Sequence, residues 1–531
     1  MKKITLLNFL LTISIGFSAF AQTTVYVSAT GGGDGTSESS PLGNFGNAMN
    51  QITSEGDRLI IIGTISPNGQ NLNSKSFGFT IEGLNTNSVL SLTSSSRLFT
   101  INGATSANVT FKNLTFLNNN TTLAGGSVFF NNAAGATATF ENCTFTGNSV
   151  TNNAGGGAIW FANGTLNITN STFDSNSSSD EAGAIFGQSG TITITNSTFD
   201  TNSSPTKGGA IFNANANLTI IDSSFENNTA TTNGGAIVAG NTGDLAVSGS
   251  LFDGNSAAKG GAIAVLASGA DLVLDTSTFV NNTVSSNGGG ALYLAGTNAN
   301  SSITNTTIFN NSVTFTSLNQ STGGGIRIEG ARPFTITNSL IYGNFVSDGS
   351  ETSPSDIGGP PAVELTLINS LTQKIEPVLV QVGDPDGNDV FSTSITDADL
   401  STSNLRFNEE LGFVIYDIAS SEDDTPIDFG SDGNDAGSWD SLYDLLSTDY
   451  LETDDQTFMI YYDKRGKNLK FDSSEKTLME IHIYNIIGAK VFGKRKMETT
   501  DVVNLGSLTN GIYIIRAFIN ENIYTKKFII Y

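Results

Sequence analysis

The chain repeats itself about every 26 residues, and this repeat constrains the fold more than any other feature. Two motifs alternate through residues 109–344. The first is Phe-x-x-Asn, whose asparagines, with two degenerate copies at the end, are Asn119, Asn148, Asn176, Asn202, Asn228, Asn255, Asn282, Asn311 and Asn344. The second is Gly-Gly-Ala-Ile, intact at Gly208–Ile211, Gly234–Ile237 and Gly260–Ile263. A fixed period of this length indicates stacked structural units.

A strand precedes each repeat phenylalanine. The residue five positions earlier is apolar in every copy, and the residue seven positions earlier is apolar in most. This period-two alternation predicts a strand with one face inside and one outside. Because 26 residues hold short strands and tight turns but no crossover helix, each repeat reads as one coil, stacked about 4.8 Å from the next. We therefore predict an all-β, right-handed parallel β-helix, or solenoid.

Stacked coils place identical positions above one another. We expect phenylalanines inside, asparagine amides hydrogen-bonded in a ladder at a turn, and paired glycines at a corner that needs positive φ or close backbone approach. Cys143 occupies the slot of serines in other repeats and is expected to be a small stacking residue. With this one cysteine and one histidine, His482, an intrachain disulfide and a Cys or Cys/His zinc site are excluded.

The double motif resembles the repeats of polymorphic outer membrane proteins, surface adhesins and autotransporters. The resemblance covers residues 109–344 and implies a surface-exposed rod.

The first 64 residues divide into two parts. Residues 1–21 have Lys2 and Lys3, an apolar run and Ala19-Phe20-Ala21, the pattern of a cleaved signal peptide. Residues 22–64 resemble the N-terminal cap of a β-helix, with a short amphipathic segment, Phe45 to Ile52, that would cover the first coil.

The solenoid is predicted over 65–450, with regular repeats at 109–344 and irregular acidic closing coils at 345–450. Asp384, Asp386 and Asp389 cluster in this acidic part. Two interpretations stay open, solvated turns and weak structural calcium sites, because the cluster lacks the glycine and closing glutamate of an EF-hand loop. The net charge of −25 argues against nucleic acid as a partner.

After a linker at 451–457, residues 458–531 are basic, poor in glycine and rich in strand patterns. This segment resembles the type A C-terminal sorting domain of the type IX (Por) secretion system. The residues that carry the resemblance are Tyr484, Gly488, Leu508, Gly511, Tyr513, Lys526 and Lys527. The resemblance implies a small β-sandwich, recognition by the type IX machinery, and export through the periplasm to the outer membrane surface or the medium.

One outward-facing row of the repeats contains acidic residues that could take part in catalysis or bind a cation. The residue after the repeat phenylalanine is Asp174, Asp200, Glu226 and Asp253 in four successive coils. Neighbours would lie about 5 Å apart and alternate residues about 10 Å apart, near the separations of retaining and inverting glycosidases. The row is open to three interpretations: a solvated face, a calcium site or a catalytic pair.

Cations are scarce in the repeats, which hold only Lys112, Lys207, Lys259, Arg327 and Arg332, and Lys207 is expected to pair with Glu181 one coil away. A lyase needs such cations to neutralise a uronate. We therefore expect a non-catalytic secreted or cell-surface adhesin or glycan-binding protein, with extracellular polysaccharide or host or cell-surface glycans as partners. The alternatives are a polysaccharide lyase or glycoside hydrolase on the β-helix, and a structural surface rod.

Overall fold

The computed structural model describes residues 22–382 with short gaps, strands at 405–408 and 413–416, and the strands and adjoining residues of 458–530. The gaps before residue 382 are 74, 103–107, 132–134, 267–268, 297–300, 316–321, 330–333, 338, 361–363, 369, 373–374 and 377–378. Residues 1–21, with the predicted signal peptide, and the predicted linker at 451–457 lie outside the described residues.

Three parallel sheets run along the solenoid. Sheet 1 has fourteen strands: Thr24–Ser28, Asp57–Ile62, Phe79–Gly83, Val109–Lys112, Thr137–Glu141, Thr165–Thr169, Thr191–Thr195, Asn217–Ile221, Leu245–Ser248, Leu272–Asp275, Ser302–Thr304, Phe334–Thr337, Glu364–Ile368 and Leu379–Val382. Sheet 2 has twelve: Thr64–Ile65, Val89–Leu90, Thr115–Leu117, Thr144–Thr146, Thr172–Asp174, Thr198–Asp200, Ser224–Glu226, Leu251–Asp253, Thr278–Val280, Thr307–Phe309, Leu340–Tyr342 and Leu371–Thr372. Sheet 3 also has twelve: Gln70–Asn71, Phe99–Asn102, Val128–Asn131, Ile159–Asn163, Ile185–Gly187, Ile211–Asn213, Ile237–Ala239, Ile263–Val265, Leu292–Leu294, Ile326–Ile328, Ile357–Gly358 and Ile375–Glu376.

Twelve coils each contribute one strand to each of these sheets in turn, and sheet 1 has one further strand at each end, so the predicted right-handed parallel β-helix is confirmed. The coils also form a narrow fourth sheet between sheets 2 and 3, which the sequence pattern did not indicate. Its strands are Asn120–Thr121 and Ser149–Val150, then Ser203–Ser204, Thr229–Ala230, Ser256–Ala257, Thr283–Val284, Ser312–Thr314, Phe345–Ser347 and Thr352–Pro354. The last of these runs antiparallel to its neighbour.

The core is one continuous cluster along the solenoid, from Val25 to Leu367. Inward residues of sheet 1 alternate with outward ones, as in Thr191–Thr195, where Ile192 and Ile194 are fully buried. The repeat phenylalanines stack in sheet 2, and the rings of Phe173 and Phe199 lie 4.6 Å apart and almost parallel. The alternation and the phenylalanine ladder therefore follow the predicted pattern.

Single residues in the left-handed conformation turn the chain between sheets. Asn170 and Asn196 have φ of 50° and 49° at the corner after sheet 1. Asparagine tolerates this region better than most residues, which accounts for its abundance at the corners.

The two glycines of Gly-Gly-Ala-Ile occupy positions with different structural requirements. The first, Gly208, has φ of 67°, and Ala182 holds the equivalent position with φ of 61°. The second, Gly209, has no positive φ, but a Cβ there would collide with the carbonyl oxygen of Gly235 in the next coil. The second glycine is required by the close approach of stacked backbones.

A helix covers the N-terminal end of the core. It spans Phe45–Asn50, its N-cap Asn44 accepts from the backbone N–H of Asn47, and it buries Phe45, Ala48 and Met49. The ring of Phe45 lies 5.7 Å from that of Phe99. The helix thus shields the apolar side chains of the first coils from water.

Antiparallel strands follow the solenoid in the chain. Leu405–Asn408 pairs with Phe413–Tyr416. The C-terminal segment has a three-stranded sheet, Phe458–Asp463, Asn468–Ser473 and Val503–Asn504, and a four-stranded sheet, Lys490–Glu498, Leu478–Asn485, Gly511–Ile519 and Asn522–Ile530. No helix among the described residues is long and apolar enough to cross a bilayer.

Candidate functional site

The asparagine ladder is a closed hydrogen-bond system. Asn202 Oδ1 accepts from the backbone N–H and side-chain amide of Asn176, at 3.0 and 2.9 Å. Its Nδ2 donates to the Phe173 carbonyl at 2.9 Å and to Asn228 Oδ1 at 3.0 Å. All nine ladder asparagines are fully buried. The amide groups are used by neighbouring coils, so the ladder stabilises the solenoid and does not face a ligand.

A carboxylate ends this ladder. Asp356 is fully buried, and its Oδ1 accepts from the backbone N–H of Asn344 at 3.1 Å and from its amide at 2.9 Å. The hydroxyl of Thr372 donates to the other carboxylate oxygen at 3.2 Å. At the opposite end, the Asn119 amide oxygen accepts from the backbone N–H of Leu92. Asp356 therefore takes the acceptor role of the next asparagine.

Cys143 stacks with the serines. Its backbone N–H donates to Ser171 Oγ at 3.1 Å, and its thiol is buried. Burial raises the pKa of this thiol to about 12. The thiol is therefore protonated at neutral pH and is not a nucleophile.

The four candidate carboxylates lie side by side on the outer face of sheet 2. Asp174 pairs in register with Asp200, Asp200 with Glu226, and Glu226 with Asp253. Ser175 donates to Asp174 at 3.0 Å and Thr201 donates to Asp200 at 2.8 Å. Asparagine amides of the next coil donate as well, from Asn227 to Asp200 at 3.2 Å and from Asn281 to Asp253 at 2.8 Å. Within the described residues, no Lys or Arg pairs with Asp174, Asp200 or Glu226, and no three metal-ligating side chains converge.

The outer face of sheet 3 has a different chemistry. Its register row runs through Phe129, Trp160, Phe186, Phe212, Val238, Ala264, Tyr293 and Arg327. The rings of Trp160 and Phe186 stack at 3.9 Å. We call this row, together with Arg97, Lys207 and Lys259, the basic face.

Three cations of the basic face each lie over an aromatic ring. The Arg97 guanidinium is 4.5 Å from the centre of the Phe129 ring, Lys207 Nζ is 5.3 Å from that of Phe212, and Lys259 Nζ is 4.8 Å from that of Tyr293. Lys207 also forms the expected ion pair with Glu181, at 3.0 Å. Rings hold such cations in place through electrostatic attraction to their π faces.

A polar cluster ends the basic face. The Tyr293 hydroxyl donates to Glu329 Oε2 at 2.6 Å, Lys259 Nζ donates to the Tyr293 oxygen at 3.2 Å, and Arg327 Nε donates to Glu329 Oε1 at 2.9 Å. Burial, reinforced by Glu329, raises the pKa of Tyr293. Burial opposes ionisation of Glu329, but the Tyr293 hydrogen bond and the Arg327 charge outweigh it and lower its pKa. The cluster is an ionised carboxylate held by a neutral phenol and cations.

Sequence reasoning missed Arg97, Phe129, Tyr293 and Glu329. The available signal was the position after the isoleucine of Gly-Gly-Ala-Ile, which is Phe212, Val238 and Ala264 in the intact copies. Of the other weighed cations, Lys112 pairs with Glu141 on sheet 1 at 3.1 Å, and Arg332 lies outside the described residues.

The remaining predicted site residues lie in or beyond the acidic part. Asp384, Asp386 and Asp389 lie outside the described residues, as does Gly488. Tyr484, Gly511 and Tyr513 lie in two paired strands, and Lys526 and Lys527 lie in the next. Leu508 donates its backbone N–H to the Leu505 carbonyl at 2.9 Å. His482 Nε2 lies 2.7 Å from Glu480 Oε1 on the same strand.

Two family models match the chain. Residues 101–279 and 156–356 match the right handed beta helix region, and residues 465–531 match the secretion system C-terminal sorting domain. The second match implies export to the cell surface or the extracellular space. A solved structure of a mannuronic acid specific polysaccharide family 6 lyase from human gut microbiota is similar at 12% identity and a TM-score of 0.26, over 67% of this chain and 82% of that one. No curated protein matches the chain.

Proposed function

We propose that this protein is a non-catalytic adhesin or glycan-binding protein that the type IX secretion system delivers to the outer membrane surface or the medium. The sorting tail supports the destination. The resemblance of the repeats to those of surface adhesins supports the role. Signal-peptide export to the periplasm would precede passage across the outer membrane.

The observation that carries the proposal is a row of polar side chains on the outer face of sheet 1. The threonine row consists of Thr80, Thr110, Thr139, Asn167, Thr193 and Thr219, which are register partners in consecutive coils. All are partly exposed, and none forms a side-chain hydrogen bond within the described part of the chain. This contrasts with the asparagine ladder, whose amides are all used.

Such a row suits an extended carbohydrate. It presents a donor or acceptor about every 4.8 Å over several coils. A single hydrogen bond to a sugar contributes little, but contacts repeated along one polymer add together. A polymer can lie along this flat face without the movement of a loop or domain, and repeat proteins commonly bind through such extended surfaces.

The double variant Thr139→Val and Thr193→Val is expected to weaken retention on a neutral polysaccharide about tenfold, because two hydrogen bonds are lost at about 0.7 kcal/mol each. Valine keeps the shape and strand preference of threonine. Affinity electrophoresis of the full secreted chain through a panel of neutral and acidic polysaccharides measures the change. Thr146→Val, on sheet 2, is the matched control.

The same panel separates the alternatives. Retention without new polymer chain ends supports the proposal. New ends that disappear in Asp200→Asn would replace it with a polysaccharide-degrading enzyme acting through the acidic row of sheet 2. Neither retention nor new ends would leave a structural rod.

Deleting residues 458–531 is expected to trap the body in the periplasm, because the matched sorting domain is the segment that the secretion machinery would recognise. Cell fractionation and protease treatment of intact cells measure the location. The full chain with Asp200→Asn, expressed at the same level, is the control. Normal surface display of the truncated chain would contradict the sorting role.

A further inference from the structure

Cations are concentrated on one face of the solenoid. Between residues 84 and 329 the chain has five Lys or Arg residues, and Lys112 is the one outside the basic face. Arg97, Lys207 and Lys259 lie over rings of the sheet 3 row, and Arg327 is itself a member of that row. Two carboxylates, Glu181 and Glu329, contact these cations. The face is therefore locally basic on a chain whose net charge is −25.

Two of these cations lack a carboxylate partner within the described residues. Lys259 donates to the Tyr293 hydroxyl and forms no ion pair there, so its ammonium has donors left over. Arg97 has a buried Nε with no hydrogen-bond partner. Both side chains are partly exposed, so an anionic ligand can form charge-assisted hydrogen bonds with them.

The spacing of the cations indicates a long ligand. Lys207 and Lys259 bridge to Asn233 from either side, so they lie two coils apart, about 10 Å by the strand spacing. From the Phe129 ring under Arg97 to the Tyr293 ring under Lys259 the face covers six strand steps, about 29 Å. A small anion would meet one cation, whereas an extended polymer with repeated anionic groups would meet the three partly exposed cations Arg97, Lys207 and Lys259.

The net negative charge does not prevent such contacts. At physiological ionic strength charges are screened beyond about 8 Å. The acidic row lies on sheet 2, a different face of the coil, so a polymer on sheet 3 mainly experiences the cations it touches. The aromatic rings beneath keep those cations ordered before binding, which reduces the entropy lost when the polymer binds.

We infer that the basic face binds an extended anionic polysaccharide, whose carboxylate or sulfate groups pair with Arg97, Lys207 and Lys259, while the buried Arg327 holds Glu329 at one end of the face. This inference rests on the proposed glycan-binding function and assigns a ligand class to a second face. The threonine row would contact neutral stretches of carbohydrate, and the basic face would select charged ones.

Binding of the full secreted chain to polygalacturonate, dextran sulfate, neutral dextran and double-stranded DNA tests the inference. The double variant Lys207→Gln and Lys259→Gln is expected to lose about tenfold in affinity for the anionic polysaccharide, as expected from the loss of two exposed ion pairs. Lys112→Gln is the matched control, because the Lys112 side chain is 39% exposed and that of Lys207 is 36% exposed, and both pair with a glutamate. Thermal unfolding of each variant checks that the fold is retained.

The outcomes are distinct. Loss of polygalacturonate or dextran sulfate binding in the double variant alone supports the inference, and the polymer that responds identifies carboxylate or sulfate as the recognised group. Equal loss in Lys112→Gln, or DNA bound as tightly as either polysaccharide, would overturn it. If neutral dextran is retained and both anionic polymers are not, the inference fails while the proposed function stands. If no polymer is retained, the proposed function fails as well.

Discussion

Gly209→Ala is expected to destabilise the solenoid by at least about 3 kcal/mol, since overpacking against backbone cannot be relieved by a change of rotamer. A Cβ at this position would overlap the Gly235 carbonyl oxygen and lie 2.6 Å from the backbone nitrogen of Thr229, both in the next coil. The coils would have to separate, and the hydrogen bond from Ala210 N–H to the Ala236 carbonyl, now 3.0 Å, would lengthen. The urea unfolding midpoint of the full chain measures the loss.

Gly208→Ala is the matched control. Gly208 has positive φ, and a Cβ there would lie 2.2 Å from the carbonyl oxygen of Ile211 in its own coil, not the next one. Alanine there therefore costs about 1–2 kcal/mol from the left-handed backbone, together with the cost of relieving this contact within the coil. Ala182 already occupies the same position one coil earlier with φ of 61°, which demonstrates that this corner accepts a Cβ. If the two alanine variants shift the midpoint equally, close approach of the coils is not the reason for the second glycine.

Asn202→Ala is expected to cost about 3 kcal/mol, roughly 1 kcal/mol for each buried polar group that loses its Asn202 side-chain partner. Those groups are the backbone and amide N–H of Asn176 and the Phe173 carbonyl, whereas Asn228 Oδ1 keeps the backbone N–H of residue 202 as a donor. Because Asn202 is fully buried, water cannot readily replace the lost partner. Thermal unfolding and amide hydrogen exchange of the neighbouring coils measure the effect.

Asn217→Ala is the control for the ladder. Asn217 is an exposed residue of sheet 1 in the next coil, and its side chain forms no hydrogen bond within the described residues. Its removal is expected to change stability by less than about 0.5 kcal/mol. A similar loss in both variants would mean that asparagine acts through general strand or turn preference and not through the buried amide ladder.

The fold was predictable because each coil of a β-helix stacks on coils with the same sequence pattern. Each residue meets its equivalent one repeat away, so Phe173 meets Phe199 and Asn176 meets Asn202. The period therefore specifies the contact as well as the strand. The row of Asp174, Asp200 and Glu226 was visible for the same reason, since these residues share one slot of the repeat.

The basic face was not predictable in this way. Its cations occupy three slots: Lys207 and Lys259 precede a glycine pair, Arg327 follows the isoleucine position, and Arg97 lies two residues before the sheet 3 strand residue Phe99. In the sequence these cations are far apart and share no repeat position, so they look like isolated charges and do not indicate a binding site. They converge because Arg97, Lys207 and Lys259 each reach a ring of the sheet 3 row, which periodicity does not describe.

The amino-acid sequence by itself determined the coil, its inside and outside, the ladder positions and the sorting tail, because these depend on residue type at a repeated spacing. The tertiary structure alone decided that Lys207 lies over a ring of its own coil, at Phe212, while Lys259 reaches Tyr293 in the following coil. In the coil of Lys259, the corresponding residue of the sheet 3 row is Ala264, which has no ring. The Lys259 side chain therefore extends to Tyr293 in the next coil, and the basic face continues across both coils.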